Sequence, residues 1–155
     1  HIAEWKGAPT LVCFVHELTR PASRLMRRLD AYGTQNQDAM KTLFILNDAP
    51  YGSERSYNGF RLAMSLMKRE DQELRVFLMG DAVGCAIRGQ KTADGYYNVE
   101  RMVRAVTQQG GKVGCCGTCS DARALTDATR ADGAHRSSMD ELTDWTLWAD
   151  RVITF

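Results

Sequence analysis

Three of the chain's five cysteines fall within five positions, in the run Gly114-Cys115-Cys116-Gly117-Thr118-Cys119-Ser120-Asp121-Ala122-Arg123. Cys116 and Cys119 form a C-x-x-C, the spacing of dithiol redox sites and of one half of a zinc site. The thiolate is the form that attacks a disulfide or persulfide sulfur. It is stabilised by unpaired backbone N–H groups at the start of a helix and by nearby positive charge. Arg123, about one helical turn beyond Cys119, supplies such a charge. Cys115 and Cys116 point to opposite faces if they lie in a strand, so they do different jobs. Cys115 and Cys13 read as small buried hydrophobes. A zinc site needs two further ligands, and His16 and His135 stand in no ligand pattern, so no metal is assigned. The glycines around Gly80 and Gly84 form no G-x-G-x-x-G and there is no Walker A run, so no cofactor is assigned either.

These thiols need a strand to present them and a helix to follow. Lys112-Val113 is strand-like, and the spacing predicts a short helix over Asp121–Thr129. Upstream, Thr42-Leu-Phe-Ile-Leu46 is an apolar run that fits a buried parallel strand. Asn47 to Ser53 is a polar loop in which Ser53 can cap a helix over Glu54–Arg69. That helix carries Tyr57, Phe60, Met64 and Met67 on one stripe, widened by Leu62, Ala63 and Leu66. Leu74–Met79 is a second strand, leaving through Gly80-Asp81-Ala82-Val83-Gly84-Cys85. Arg88 to Tyr97 reads as a mobile polar loop, and Val99–Gln109 as a helix stopped by Gly110-Gly111. After a turn at Asp132-Gly133-Ala134, Ser138 and Glu141 match a capping box for a last helix bearing Leu142, Trp145 and Trp148. Val152-Ile-Thr-Phe155 closes the chain as a fourth strand. Strands alternating with helices argue an α/β fold: three α/β/α layers on a mostly parallel sheet. Strand exits converge at one edge of such a sheet, so Asn47, Asp48, Cys85 and Cys115 are the candidate pocket around Cys116 and Cys119.

The totals restrict the function classes. A chain of 155 residues with a formal net charge of +1 offers no global argument for a nucleic acid or an anionic membrane as partner. No apolar run approaches the ~20 residues that span a bilayer. An odd, clustered cysteine set without a signal-peptide pattern suits a reducing cytoplasm. Residues 1–39 read as an N-terminal extension, with a strand-like Thr10–Val15 and a helix-like Ser23–Tyr32 carrying Arg24, Arg27 and Arg28. Residues 40–155 read as the α/β domain.

From Met40 to Phe155 the chain resembles the DsrE/DsrF-like (YchN-like) sulfur-relay family. The likeness is carried by the opening Met40-Lys-Thr-Leu-Phe-Ile-Leu-Asn-Asp48, the Gly80-Asp-Ala-Val83 exit, Cys116-Gly-Thr-Cys-Ser-Asp-Ala-Arg123, and Ala149-Asp-Arg-Val-Ile-Thr-Phe155. The resemblance implies a small α/β/α fold, assembly into trimers or hexamers, and transfer of sulfane sulfur between donor and acceptor proteins. It puts the family's C-x-x-C on Cys116 and Cys119 and its following arginine on Arg123. Ala124 stands where the family places glycine, so the turn after Arg123 is expected to differ.

Three functions compete on this reading. The first is a sulfur-relay protein carrying a persulfide on Cys116 or Cys119. The second is a dithiol–disulfide oxidoreductase using both. The third is a non-catalytic assembly protein in which the cysteines are structural and Trp145 and Trp148 serve an interface.

Overall fold

The structure, a computed structural model, describes residues 39–155. The readings at Thr10–Val15, Ser23–Tyr32, Cys13 and His16 lie outside the described residues. Five strands form one sheet: β1 Met40–Leu46, β2 Gln72–Leu78, β3 Lys112–Cys116, β4 Ala134–Ser137 and β5 Arg151–Thr154. Their spatial order is β4-β3-β2-β1-β5 and every neighbouring pair is parallel. The principal helices are α1 Arg55–Leu66, α2 Val99–Gln108, α3 Gly117–Asp121 and α4 Met139–Trp148.

The central strands β1 and β2 bury apolar side chains on both faces because helices cover both. Phe44, Leu46, Leu74, Val76, Leu78, Val113 and Cys115 face Phe60 and Ala63 of α1 and Val99, Val103 and Val106 of α2. Leu43 and Phe77 face the other way, against Leu142 and Trp145 of α4. The three-layer α/β/α arrangement expected above is therefore present.

Five local expectations change. The sheet has five strands rather than four, because Ala134-His-Arg-Ser137 pairs with β3 where a turn and a helix cap were expected. The helix expected over Asp121–Thr129 starts earlier and breaks: α3 ends at Asp121, and a 3-10 turn covers Asp127–Thr129. Ser53 does not cap α1; its hydroxyl donates to Asp48 instead, and Glu54 stands at the cap with no side-chain bond. Leu62 lies outside the core stripe, 39% exposed. At α4, Ser138 does accept the Glu141 amide at 3.2 Å, but the Glu141 carboxylate turns away to His135 and Ser137.

The segment from Arg88 to Tyr97 is tied down rather than loose. The buried Glu100 carboxylate accepts the amides of Gly89 and Gln90, each at 2.8 Å. The Gln90 amide group donates to the carbonyls of Gly84, Cys85 and Ile87. Tyr51 donates to Gln90 at 2.5 Å.

Ala124 keeps a left-handed backbone, with φ of 51°, in spite of its Cβ. The turn expected to differ at this alanine is thus held in the conformation that favours glycine. Its amide donates to the carbonyl of Asp121, and the next amide, of Leu125, to that of Ser120. An alanine there costs roughly 1 kcal/mol against glycine, partly offset by the freer unfolded chain of the glycine variant. Ala124→Gly is therefore expected to stabilise the domain by about 0.5 kcal/mol, read as a higher urea midpoint at unchanged slope.

Candidate functional site

β3 ends at Cys116 and α3 begins at Gly117, so the C-x-x-C straddles a strand-to-helix junction at the carboxyl edge of the sheet. Cys115 turns into the α1/α2 core, and Cys116, at the strand end, packs against both that cluster and the α4 cluster. Cys116 is the residue that caps α3: its sulfur accepts the Cys119 amide at 3.4 Å. The exposed Thr118 hydroxyl lies 3.4 Å from the same sulfur. Cys119 sits inside α3 rather than before it, and its sulfur accepts the Gly80 amide at 3.3 Å. Gly80 belongs to the exit of β2 and has φ of 56°, which a side chain would strain. Two neighbouring strand exits thus meet at one thiol pair, and both sulfurs are partly exposed.

The two thiols are driven apart electrostatically. Burial raises Cys116, but hydrogen bonds from the Cys119 thiol, the Thr118 hydroxyl and their amides outweigh it and hold the group below its ordinary value. Cys119 is shifted up, by burial first and then by its role as donor to the Cys116 sulfur. A pair divided in this way has one member suited to attack and one suited to hold its proton.

The remaining candidates separate. Cys85 and Cys115 are fully buried. Burial pushes the Cys85 thiol up to about 12 and the Cys115 thiol up to about 11. Both are core side chains, which is the small buried hydrophobe that the sequence suggests for Cys115. Cys85 is carried inward because the glycine-rich exit of β2 folds into a 3-10 segment, Gly80–Ala86. Asn47 is exposed and donates through Nδ2 to the Phe155 carbonyl at 3.3 Å. Asp48 organises its own loop, accepting from Ser53 at 2.7 Å and facing Arg55 at 3.7 Å.

Arg123 reaches the site but not the sulfurs. Its Nη2 lies 2.5 Å from the Asp81 carboxylate and its Nη1 donates to the Cys119 carbonyl at 3.2 Å. It therefore clamps the β2 exit to α3, which fixes Gly80 opposite Cys119. A second arginine, missed in the sequence, comes from β4. Arg136 donates to the Gly117 carbonyl at 3.1 Å and grips both oxygens of Asp121, at 2.5 and 2.8 Å. Its guanidinium lies so close that a Cβ at Gly117 would meet Nη2 at 3.0 Å and the Ser137 carbonyl at 2.9 Å. Glycine at the middle of the motif is what lets this cation approach. Among the described residues, no group of three His, Cys, Asp or Glu side chains is arranged to hold a metal ion.

Residues 40–155 match the DsrE/DsrF-like family. Protein YchN of Escherichia coli (strain K12) is 43% identical over 116 residues, covering 74% of this chain and 98% of YchN. An uncharacterized protein of Methanopyrus kandleri is 33% identical over 111 residues, covering 72% of this chain and 90% of that protein. The crystal structure of E. coli YchN superposes with a TM-score of 0.71, covering 75% of this chain and 99% of that one. A protein of unknown function from Methanobacterium thermoautotrophicum shares the fold at a TM-score of 0.61 with 15% identity. By sequence over three quarters of its length and by the fold of that same part, this chain belongs to the DsrE/DsrF-like family.

Proposed function

We propose that the protein is a sulfur-relay carrier in which Cys116 holds sulfane sulfur as a persulfide. The observation that carries this reading is the single sulfur at the end of β3 that is partly exposed, hydrogen-bonded by the Cys119 amide and the Thr118 hydroxyl, and shifted toward its thiolate. In the loading step the Cys116 thiolate attacks the outer sulfur of a donor persulfide. A new S–S bond forms to Cys116, the donor's S–S bond breaks, and its electron pair leaves on the donor thiolate. Unloading is the same displacement by an acceptor thiolate, so no external oxidant or reductant is consumed. The hydrogen-bond donors around Cys116 suit a persulfide anion as well as a thiolate.

On this reading residues 40–155 are the sulfur-handling domain and residues 1–39 an extension. The protein works in a reducing cytoplasm, as a trimer or hexamer, between donor and acceptor proteins. The test is intact and peptide mass spectrometry of the reduced full chain after exposure to a low-molecular-weight persulfide. An added mass of about 32 Da, one sulfur atom, on the Cys116 peptide is expected. A reduced protein that gains no sulfur sinks the proposal.

A second reading rests on the proximity of Cys119. Its thiol can attack a persulfide on Cys116, giving a Cys116–Cys119 disulfide and releasing hydrogen sulfide. A dithiol–disulfide exchange enzyme would use the same pair, and turnover of a model disulfide would favour it.

The divided pair makes a further prediction. The rate of iodoacetamide modification at Cys116 should rise with pH around a midpoint below the ordinary cysteine value. That at Cys119 should rise around a midpoint above it. Peptide-resolved alkylation across pH measures both. Identical profiles at the two positions would contradict the assignment of Cys116 as nucleophile.

A further inference from the structure

A second cleft, sharing no residue with the thiol site, lies between α1 and α2. It has a volume of about 360 Å³ and is lined by Tyr57, Arg61, Met64, Lys68, Tyr96 and Arg101, among others. Its charge is one-sided. Arg61, Lys68 and Arg101 all line it, and no Asp or Glu does. Six arginines elsewhere, Arg55, Arg88, Arg104, Arg123, Arg130 and Arg136, each hold a carboxylate, and Arg75 lies over the Trp148 ring at 3.7 Å. Arg61 and Arg101 make no such pair among the described residues. Arg61 only touches Asn58 at 3.2 Å and lies over the Tyr57 ring at 5.4 Å.

The other wall is a stack of flat rings. Tyr97 lies 4.0 Å from Tyr57 and 4.5 Å from Tyr96, centroid to centroid, with interplanar angles of 19° and 25°. Tyr51 joins it at 5.6 Å and is fixed by its bond to Gln90, so the stack is anchored to the pinned 88–97 segment. Tyr96 is 56% exposed and offers an open ring to the cleft. Burial and its contact with Tyr96 push Tyr97 up to about 12. Met64 and Met102 add apolar surface.

Stacked rings recognise a planar heteroaromatic group, and uncommitted guanidinium and ammonium groups recognise a phosphate. The volume is within the range of small-ligand sites. An acidic peptide would satisfy the cations but leave the exposed ring idle. We propose that this cleft binds a nucleoside monophosphate, its base stacked on Tyr96 and its phosphate held by Arg61, Lys68 and Arg101.

The test is titration of the full chain with AMP by calorimetry, with ribose 5-phosphate and an oligoglutamate peptide as comparison ligands. Saturable AMP binding is expected, with ribose 5-phosphate at least about tenfold weaker because it lacks the ring. Tyr96→Ala removes an exposed side chain and should weaken AMP about tenfold or more while the circular dichroism spectrum stays unchanged. Arg61→Ala with Arg101→Ala should weaken AMP and flatten its salt dependence. No saturation at about 1 mM AMP would overturn the proposal. So would equal affinity for ribose 5-phosphate, stronger binding of oligoglutamate than of AMP, or a Tyr96→Ala variant that binds AMP normally. None of these outcomes bears on sulfur loading at Cys116.

Discussion

Cys116→Ala is expected to abolish sulfur loading: after exposure to a persulfide donor, the C-x-x-C peptide stays at its unmodified mass. The change deletes the one sulfur that combines partial exposure with the Cys119 amide and the Thr118 hydroxyl as hydrogen-bond partners. The side chain's other contacts are modest, so the fold should survive. The variant's thermal transition provides the control. Cys119→Ala should behave in the opposite way. It leaves the Cys119 amide in place, since that donor belongs to the backbone, and removes the thiol able to discharge the persulfide together with that thiol's hydrogen bond to the Cys116 sulfur. The adduct on Cys116 should then persist longer than in the wild type. The same pair of variants separates the two thiol readings: a disulfide exchange enzyme loses turnover with either change, whereas a carrier loses loading only with the first. Loading that survives in Cys116→Ala and disappears in Cys119→Ala would reverse the assignment.

Trp145→Ala should be the most damaging of the simple truncations on the α4 side, costing about 3–5 kcal/mol out of a total of roughly 5–15. Trp145 is 3% exposed and presents its edge to Phe77 at 6.2 Å and to His135 at 5.9 Å. The Arg75 guanidinium lies 5.5 Å from its ring. The indole also covers β3: a Cβ at Gly114 would come within 3.1 Å of its Cη2. Truncation therefore opens a cavity directly beneath the strand that ends in Cys116. The measurement is the shift of the urea midpoint. A loss below about 1 kcal/mol would mean that α4 contributes little to this layer. A companion readout is Cys116 alkylation, which should change its pH profile if the strand end relaxes.

The sequence made the thiol pair and most of the sheet legible for different reasons. Thr42–Leu46 and Leu74–Leu78 are apolar on both faces, and only a strand covered by two helix layers has that composition. Cys116 and Cys119 stood out by spacing alone. β4 was hidden because Ala134-His-Arg-Ser137 is short and polar; its strand character comes from the ladder to β3, not from its own residues. Arg136 was hidden with it. It reaches Gly117 only because the register sets Cys115 beside Arg136, a pairing that no local pattern encodes. Arg123 was found by its distance from Cys119, but its partner Asp81 lies 42 residues away and decides where the guanidinium points. Cys85 misled because a glycine-rich strand exit usually opens outward. Here the chain coils into a 3-10 turn and returns the thiol to the interior. The half-made capping box at Ser138 has a similar cause: the Glu141 carboxylate finds better partners in His135 and Ser137.

The depth of Cys85 and Cys115 has a use beyond packing. Both are sealed at 0% exposure, while Cys116 and Cys119 meet solvent. Among these four described cysteines a thiol reagent applied to the native protein therefore reads two populations, one immediate and one gated by opening of the interior. The slow population keeps time for the fold's own breathing, residue by residue under mass mapping, without any probe being engineered into the molecule.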